Sequence, residues 1–339
     1  MKPKSMSSHS FIFRCFGISL LFVALCCVQG VSAQALLPQT TSTPFNYVST
    51  NGTIYGTLED PQMAAGQRIP VVLLIAGSGP TDRDGNNTMA GSNNSLKLLA
   101  DALVKRGIAV VRYDKRGIAA SAKAMVSESD LRFETYIDDA VGIVRQIQSN
   151  ARYSSVTIVG HSEGSLIGMV AAQKAGAQGF VSLAGAGFPA GQILRKQLAK
   201  QLPPNVMQEC EKLLSELEAG KTTSTPPPMM LASIFRPSVQ PYMISWLRYD
   251  PREEIKRLSC PALILQGMTD VQVGVEDAQS LAAANTKVSM ILVNGMNHVL
   301  KAVSADMKEQ IASYSNPMLP VVPALVDGIA KFVLELPKR

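Results

Sequence analysis

The stretch Val156-Thr-Ile-Val-Gly160-His161-Ser162-Glu163-Gly164-Ser165-Leu166-Ile167-Gly168-Met169-Val170 joins a β-branched run to a segment of helical character through a glycine-flanked serine. Between a strand and a helix, the pattern G-x-S-x-G demands a turn so tight that the flanking positions tolerate only glycine, and the serine is lifted above the sheet edge. Glycine and serine are common, so the pentapeptide alone says little. The strand before it and the helix after it are what make it a nucleophile elbow rather than an ordinary glycine-rich βα turn.

Outward from the elbow, the chain alternates strand and helix. Phe45 to Leu58 reads as two strands joined at Asn51-Gly52, and Val71 to Ala76 as a strand apolar on both faces. The loop Gly77-Ser78-Gly79-Pro80-Thr81-Asp82-Arg83-Asp84-Gly85-Asn86-Asn87 follows. It is dense in residues that accept unusual backbone angles, which suits either donation of N–H groups to an anion or a turn cluster tied to itself by its charges. Leu96 to Lys105 has helical spacing, and Gly107 to Tyr113 is a buried strand ending in Asp114-Lys115-Arg116-Gly117, a charged loop read as holding its neighbours through ion pairs. Phe133 to Gln148 is an amphipathic helix with Phe133, Tyr136, Ile137, Ala140, Val141, Ile143, Val144 and Ile147 on its apolar face. Strands at Phe180 to Ala184, Ala262 to Gln266 and Val288 to Val293, with helical stretches at Leu281 to Ala284 and Pro323 to Leu334, complete the pattern. Buried strands alternating with helices predict an α/β, doubly wound, mostly parallel sheet.

The rhythm breaks over 188–250, where helical stretches flank Pro203-Pro204 and Pro226-Pro227-Pro228. This reads as a helical cap insertion dividing a core into 34–187 and 251–339. Its apolar second half, with Met229, Met230, Leu231, Ile234, Phe235, Met243, Ile244, Trp246 and Leu247, suits both the roof of a pocket and plain burial against the core.

Residues 1–33 read as a secretory signal: Lys2, Lys4 and Arg14 without an acid, an apolar run from Cys15 to Val28, and the small-residue site Val31-Ser32-Ala33. Fourteen apolar residues are short for a bilayer span. Cleavage after Ala33 directs the chain to the periplasm or outside and leaves no stable membrane anchor, and lipid anchoring at Cys26 is the alternative, against which Leu25 stands. Removal of the segment lowers the formal charge from +6 to +3, and no basic stripe with interleaved aromatics points to nucleic acid. Of five cysteines, Cys210 and Cys260 then remain, able to pair in an oxidising compartment but too few for a structural zinc site. No metal or organic cofactor is implied, and nothing bears on oligomeric state.

A serine hydroxyl needs a base, and imidazole has the basicity for neutral pH. Of three histidines, His9 lies in the leader and His161 sits beside the serine with its ring expected to point elsewhere, which leaves His298, just past the last strand. A carboxylate between serine and histidine should orient that ring, and Asp270, four residues past the end of a buried strand, fits best, with Asp250 and Asp277 as alternatives. Charge developing on a tetrahedral intermediate needs fixed donors. The backbone N–H of Glu163 comes with the elbow, and the second is expected from Ser78, with Gly79 as the alternative. The Glu163 side chain has no assigned role beyond solvation or a bond to the charged loops.

Taken together, Gly77-Ser-Gly-Pro-Thr-Asp-Arg-Asp-Gly-Asn86, Arg112-Tyr-Asp-Lys-Arg-Gly117, Gly160-His-Ser-Glu-Gly164, Leu265-Gln-Gly-Met-Thr-Asp270 and Asn297-His298 resemble the α/β-hydrolase superfamily. The resemblance is to bacterial esterases of its serine-aminopeptidase-like branch, covers nearly all of the chain after the leader and is weakest over the insertion. It implies an α/β-hydrolase fold, a triad of Ser162, Asp270 and His298, and a small ester with a short acyl group as substrate. A peptidase with the same triad, or a non-catalytic binding protein on this fold, are the alternatives. One departure stands out: Ala119-Ala120 occupies a place where a second glycine is expected.

Overall fold

The computed structural model describes residues 40–64, 66–125 and 127–337, so the segment read as a leader lies outside them. The chain opens with β1 (Thr40–Ser49), β2 (Gly52–Pro61), β3 (Ile69–Ile75), α1 (Ser95–Val104) and β4 (Ala109–Tyr113). It continues through α2 (Phe133–Gln148), β5 (Tyr153–His161), α3 (Glu163–Ala175) and β6 (Gly179–Leu183). Four helices follow before the next α/β pair: α4 (Ala190–Leu198), α5 (Pro204–Glu218), α6 (Ala232–Phe235) and α7 (Gln240–Leu247). Then come α8 (Pro251–Lys256), β7 (Ala262–Gly267), α9 (Val275–Ala284), β8 (Ser289–Val293), α10 (Met307–Tyr314) and α11 (Pro323–Glu335).

One sheet runs β1-β2-β4-β3-β5-β6-β7-β8, antiparallel at the β1–β2 and β2–β4 pairs and parallel from β4 to β8. Every residue of β3, β4, β5, β6 and β7 is buried, as strands covered on both faces must be. Two apolar cores result. One places Phe133, Ile137, Val144 and Met169 of α2 and α3 on the Leu73 and Ile158 face, and the other places Leu99 of α1 and Leu325 and Ile329 of α11 on the Val72 and Val159 face. Each such side chain contributes roughly 1.5–3 kcal/mol by leaving water. The apolar face expected for α2 is buried in full.

The β1–β2 hairpin turns one residue earlier than the Asn-Gly pair suggested, because Ser49 pairs with Gly52 and its hydroxyl donates to the Gly52 carbonyl at 2.7 Å. Helix α10 had no counterpart in the sequence reading, its apolar residues being few and Ile311 largely exposed. Helices α4 to α7 and the loops that join them fill the segment between β6 and α8. Their apolar second half divides: Leu231, Phe235 and Met243 are buried, whereas Met229 and Met230 face solvent and roof nothing. Cys210 and Cys260 are free thiols, so the disulfide considered above is not formed. No helix among the described residues is long and apolar enough to cross a membrane.

Candidate active site

Ser162 stands between the last residue of β5 and the first of α3, with φ 55° and ψ −122°. A non-glycine residue held in that region costs about 1–3 kcal/mol, which the packing around it must offset. The two flanking glycines show how tight the turn is. A Cβ on Gly160 would lie 2.1 Å from the Gly164 carbonyl oxygen, and one on Gly164 would lie 2.4 Å from that of Ile75. Among the described residues the Ser162 hydroxyl has no hydrogen-bond partner, and the backbone N–H groups of Ser78 and Glu163 donate to none. Ser78, Ser162 and Glu163 line one small cavity of about 100 Å³, together with Phe188, Trp246 and Val273.

His298 follows β8 in a loop anchored from within. Buried Asn297 donates from Nδ2 to Ser313 Oγ at 2.8 Å and accepts from the Lys301 N–H at 3.0 Å. His298 Nδ1 donates to Asp270 Oδ2 at 2.8 Å, with the two side chains 7% and 0% exposed. A carboxylate only accepts, so Nδ1 carries the proton and Nε2 of the neutral ring is left as an acceptor. Asp270 Oδ1 accepts from the N–H groups of Gln272 at 2.8 Å and Val273 at 3.0 Å. Burial pushes the Asp270 carboxyl up, but His298 and these backbone donors outweigh it and hold the group below its ordinary 3.8.

The other two carboxylates lie elsewhere. Asp250 caps α8 by accepting from the Arg252 N–H at 2.9 Å and pairs with the Arg252 guanidinium, while Asp277 Oδ1 accepts from the Gly187 N–H at 2.9 Å. Gly79 does not line the cavity; Ser78 does.

The charged loops hold one another. Asp114 accepts from Arg83 at the backbone (2.8 Å) and the guanidinium (2.7 Å), and Arg116 grips buried Asp139 through two bonds of 3.0 and 2.6 Å. Asp82 ties its own loop by accepting from the N–H groups of Asp84 and Asn86 at 2.8 and 2.9 Å. The Glu163 carboxylate is buried and paired with Lys115 at 2.8 Å, the bond to the charged loops that the sequence left open. Ala119 sits at φ 43°, so the residue standing where a second glycine was expected adopts the conformation that glycine favours.

His161 is the residue whose part the sequence did not reveal. Its ring lies 4.8 Å from that of His298, and its Nε2 donates to the His298 carbonyl at 2.8 Å. Rather than pointing away from the site, it links the elbow to the loop carrying His298. Burial, reinforced by His298, pushes the His161 imidazole from its ordinary 6.5 down to about 3. The unfolded chain therefore takes up a proton that the folded ring refuses. This contribution to stability is whole above about pH 6.5 and is lost progressively as pH falls toward about 3. The melting temperature is expected to decline across that window. His161→Gln, which keeps a donor for the carbonyl, should flatten the decline, and an unchanged slope in the variant would show that another group is responsible.

A second cleft of about 470 Å³ adjoins the cavity and shares Gln197 and Gln272 with it; Lys200, Met307, Ile311 and Tyr314 are among its walls. Among the described residues no group of three or more His, Cys, Asp or Glu side chains is placed to hold a metal ion.

The family model described as serine aminopeptidase, S33, matches residues 89–231, a span that includes the elbow. Esterase EstD of Thermotoga maritima is 27% identical over 270 residues, covering 78% of this chain and 62% of its own length, so the chain spans less than two thirds of that relative. Among solved structures, Est1E of Butyrivibrio proteoclasticus with ferulic acid bound has a TM-score of 0.56 at 16% identity, over 85% of this chain and 98% of that one. The acylaminoacyl peptidase of Pyrococcus horikoshii has a TM-score of 0.51 at 13% identity, over 82% of this chain and 40% of that one. The parallel sheet with its antiparallel β1–β2 edge and the elbow after β5 agree with these likenesses: the chain has an α/β-hydrolase fold and is similar, over part of its length, to serine-aminopeptidase-type hydrolases and to an esterase.

Proposed function

We propose that this protein is a serine hydrolase that cleaves carboxylic esters with short acyl groups through an acyl-enzyme on Ser162. The observation that carries the reading is the His298–Asp270 hydrogen bond of 2.8 Å, in a loop tied by His161 to a strained serine that lines a cavity with two undonated N–H groups. In this reading His298 Nε2 takes the Ser162 proton as the hydroxyl attacks the ester carbonyl, and Asp270 fixes the tautomer and stabilises the imidazolium. The N–H groups of Ser78 and Glu163 receive the developing oxyanion. The imidazolium then protonates the leaving alcohol, and water repeats the sequence to release the acid and regenerate the serine.

A cavity of about 100 Å³ is well below the ~300–1,000 Å³ that holds a drug-sized ligand, which favours a small acyl group. The resemblance to Esterase EstD supports ester rather than amide substrates. We place the enzyme in the periplasm or outside the cell after cleavage behind Ala33, with residues 188–250 as a cap over the site.

A p-nitrophenyl ester series from acetate to decanoate tests the substrate class. The ratio kcat/KM is expected to peak at two to four carbons and to drop about tenfold or more by the longest chains, since each misfit methylene changes transition-state binding by ~1–3 kcal/mol. Equal turnover across the series would remove the short-acyl assignment, and faster turnover of aminoacyl p-nitroanilides would make the protein a peptidase.

A further inference from the structure

Lys115 takes no part in the chemistry described above, yet it lies at its centre. Its side chain is 1% exposed, and Nζ donates to the Gly77 carbonyl at 2.6 Å and to Glu163 Oε2 at 2.8 Å. The ammonium also stands 4.9 Å from the centre of the Tyr136 ring, so each of its donor directions meets an electron-rich partner. The other Glu163 oxygen accepts from the Tyr242 hydroxyl at 2.5 Å, and Tyr242 belongs to α7, in the segment between β6 and β7.

We infer that Lys115 is a positioning residue for the oxyanion pocket: by holding the Gly77 carbonyl it turns the N–H of the same peptide unit, carried by Ser78, toward Ser162. The reason is the planarity of the trans peptide. Its carbonyl and N–H point in opposite directions, so fixing one fixes the other, and a flip of the Gly77–Ser78 unit would present a carbonyl oxygen to a negative charge. The second donor is tied to the same ammonium, because Glu163 lines the cavity while its carboxylate clasps Lys115. One buried charge thus sets two donors that are 85 positions apart in the chain. Tyr242 extends the chain of bonds to α7, so the inserted helices help to hold the pocket. A buried ion pair is poor evidence of stability, and a role in fixing geometry gives it a reason to be there.

The inference rests on the reading of Ser162 as nucleophile. Its test is Lys115→Met, assayed with p-nitrophenyl acetate and with phenylboronic acid, which adds to a serine hydroxyl to give a tetrahedral anion. Loss of an oxyanion donor typically costs about 10²–10³ in kcat. The expected result is a fall of about that size in kcat, KM within about threefold, boronate affinity falling in parallel, and a displaced 15N–1H resonance for the Ser78 amide. Tyr242→Phe keeps the ion pair and should give the same pattern at about 3- to 10-fold, which carries the test if Lys115→Met does not fold. Full turnover and an unmoved Ser78 resonance in a folded Lys115→Met protein would overturn this inference alone. So would a loss of kcat that matches the loss of folded protein while boronate affinity per folded molecule is unchanged. A wild-type protein that neither turns over esters nor binds boronate, with the Ser78 resonance still dependent on Lys115, would instead overturn the hydrolase reading and the oxyanion role with it.

Discussion

Ser162→Ala is expected to leave a folded protein that takes up no fluorophosphonate and hydrolyses p-nitrophenyl acetate about 10⁶-fold more slowly, near the level at which binding and oxyanion contacts alone act. The reasoning is geometric. The elbow presents one hydroxyl, unengaged by any hydrogen bond among the described residues, to a cavity lined also by Ser78 and Glu163, whose backbone N–H groups have no acceptor among those residues. Its neighbour Ser165, one helical turn along, instead donates to Ser182 at 2.8 Å and is buried. Alanine at 162 removes the hydroxyl but meets the same backbone strain as serine, so the melting temperature should move little. Mass spectrometry of the labelled protein locates the adduct. A phosphonyl group on any residue other than Ser162, or labelling that survives the substitution, would sink the assignment.

The second large effect is expected at Asp270, and here the environment decides which substitution is informative. Asp270 Oδ1 accepts from two backbone N–H groups, whereas Oδ2 faces His298 Nδ1 and Gln266 Nε2. In Asp270→Asn the side-chain oxygen is kept at the Oδ1 position by the Gln272 and Val273 donors. The amide nitrogen is thereby forced against His298 Nδ1. A donor there selects the ring tautomer with its proton on Nε2, the wrong one for a base, and a fall in kcat of about 10⁴-fold is expected, with the fold intact. Measuring kcat against pH checks the cause: a ring with Nε2 occupied should leave a residual rate that climbs with hydroxide. If Asp270→Asn keeps more than a tenth of the wild-type rate, the His298–Asp270 bond is structural rather than catalytic. The carboxyl itself is held below its ordinary 3.8, so its part in stability is present above that value and fades only as the pH falls through the lower folded one.

Much of the fold was legible because the signals that determine it are local. Buried parallel strands read as unbroken apolar runs, α2 carries its apolar face at helical spacing, and G-x-S-x-G between a strand and a helix has one compact solution. Element ends shifted: the hairpin turn by one residue, where Ser49 decides it, whereas β1 begins at Thr40 rather than Phe45 and β2 runs on to Pro61. Helix α10 escaped notice because a short amphipathic segment with an exposed isoleucine has little periodicity to show.

By itself, then, the sequence determined the α/β class, the elbow and a short list of candidate groups, since these follow from period, propensity and turn chemistry within a few residues. Which carboxylate meets His298, whether Glu163 is solvated or clasps Lys115, where the His161 ring turns, and that a tyrosine of α7 reaches the elbow were decided only by the tertiary structure. These contacts join positions from 28 to 137 apart, and a hydrogen bond or ion pair between such positions leaves no periodic trace in either segment. It exists because parallel strands bring their carboxyl ends to one edge of the sheet, where loops far apart along the chain share one small space.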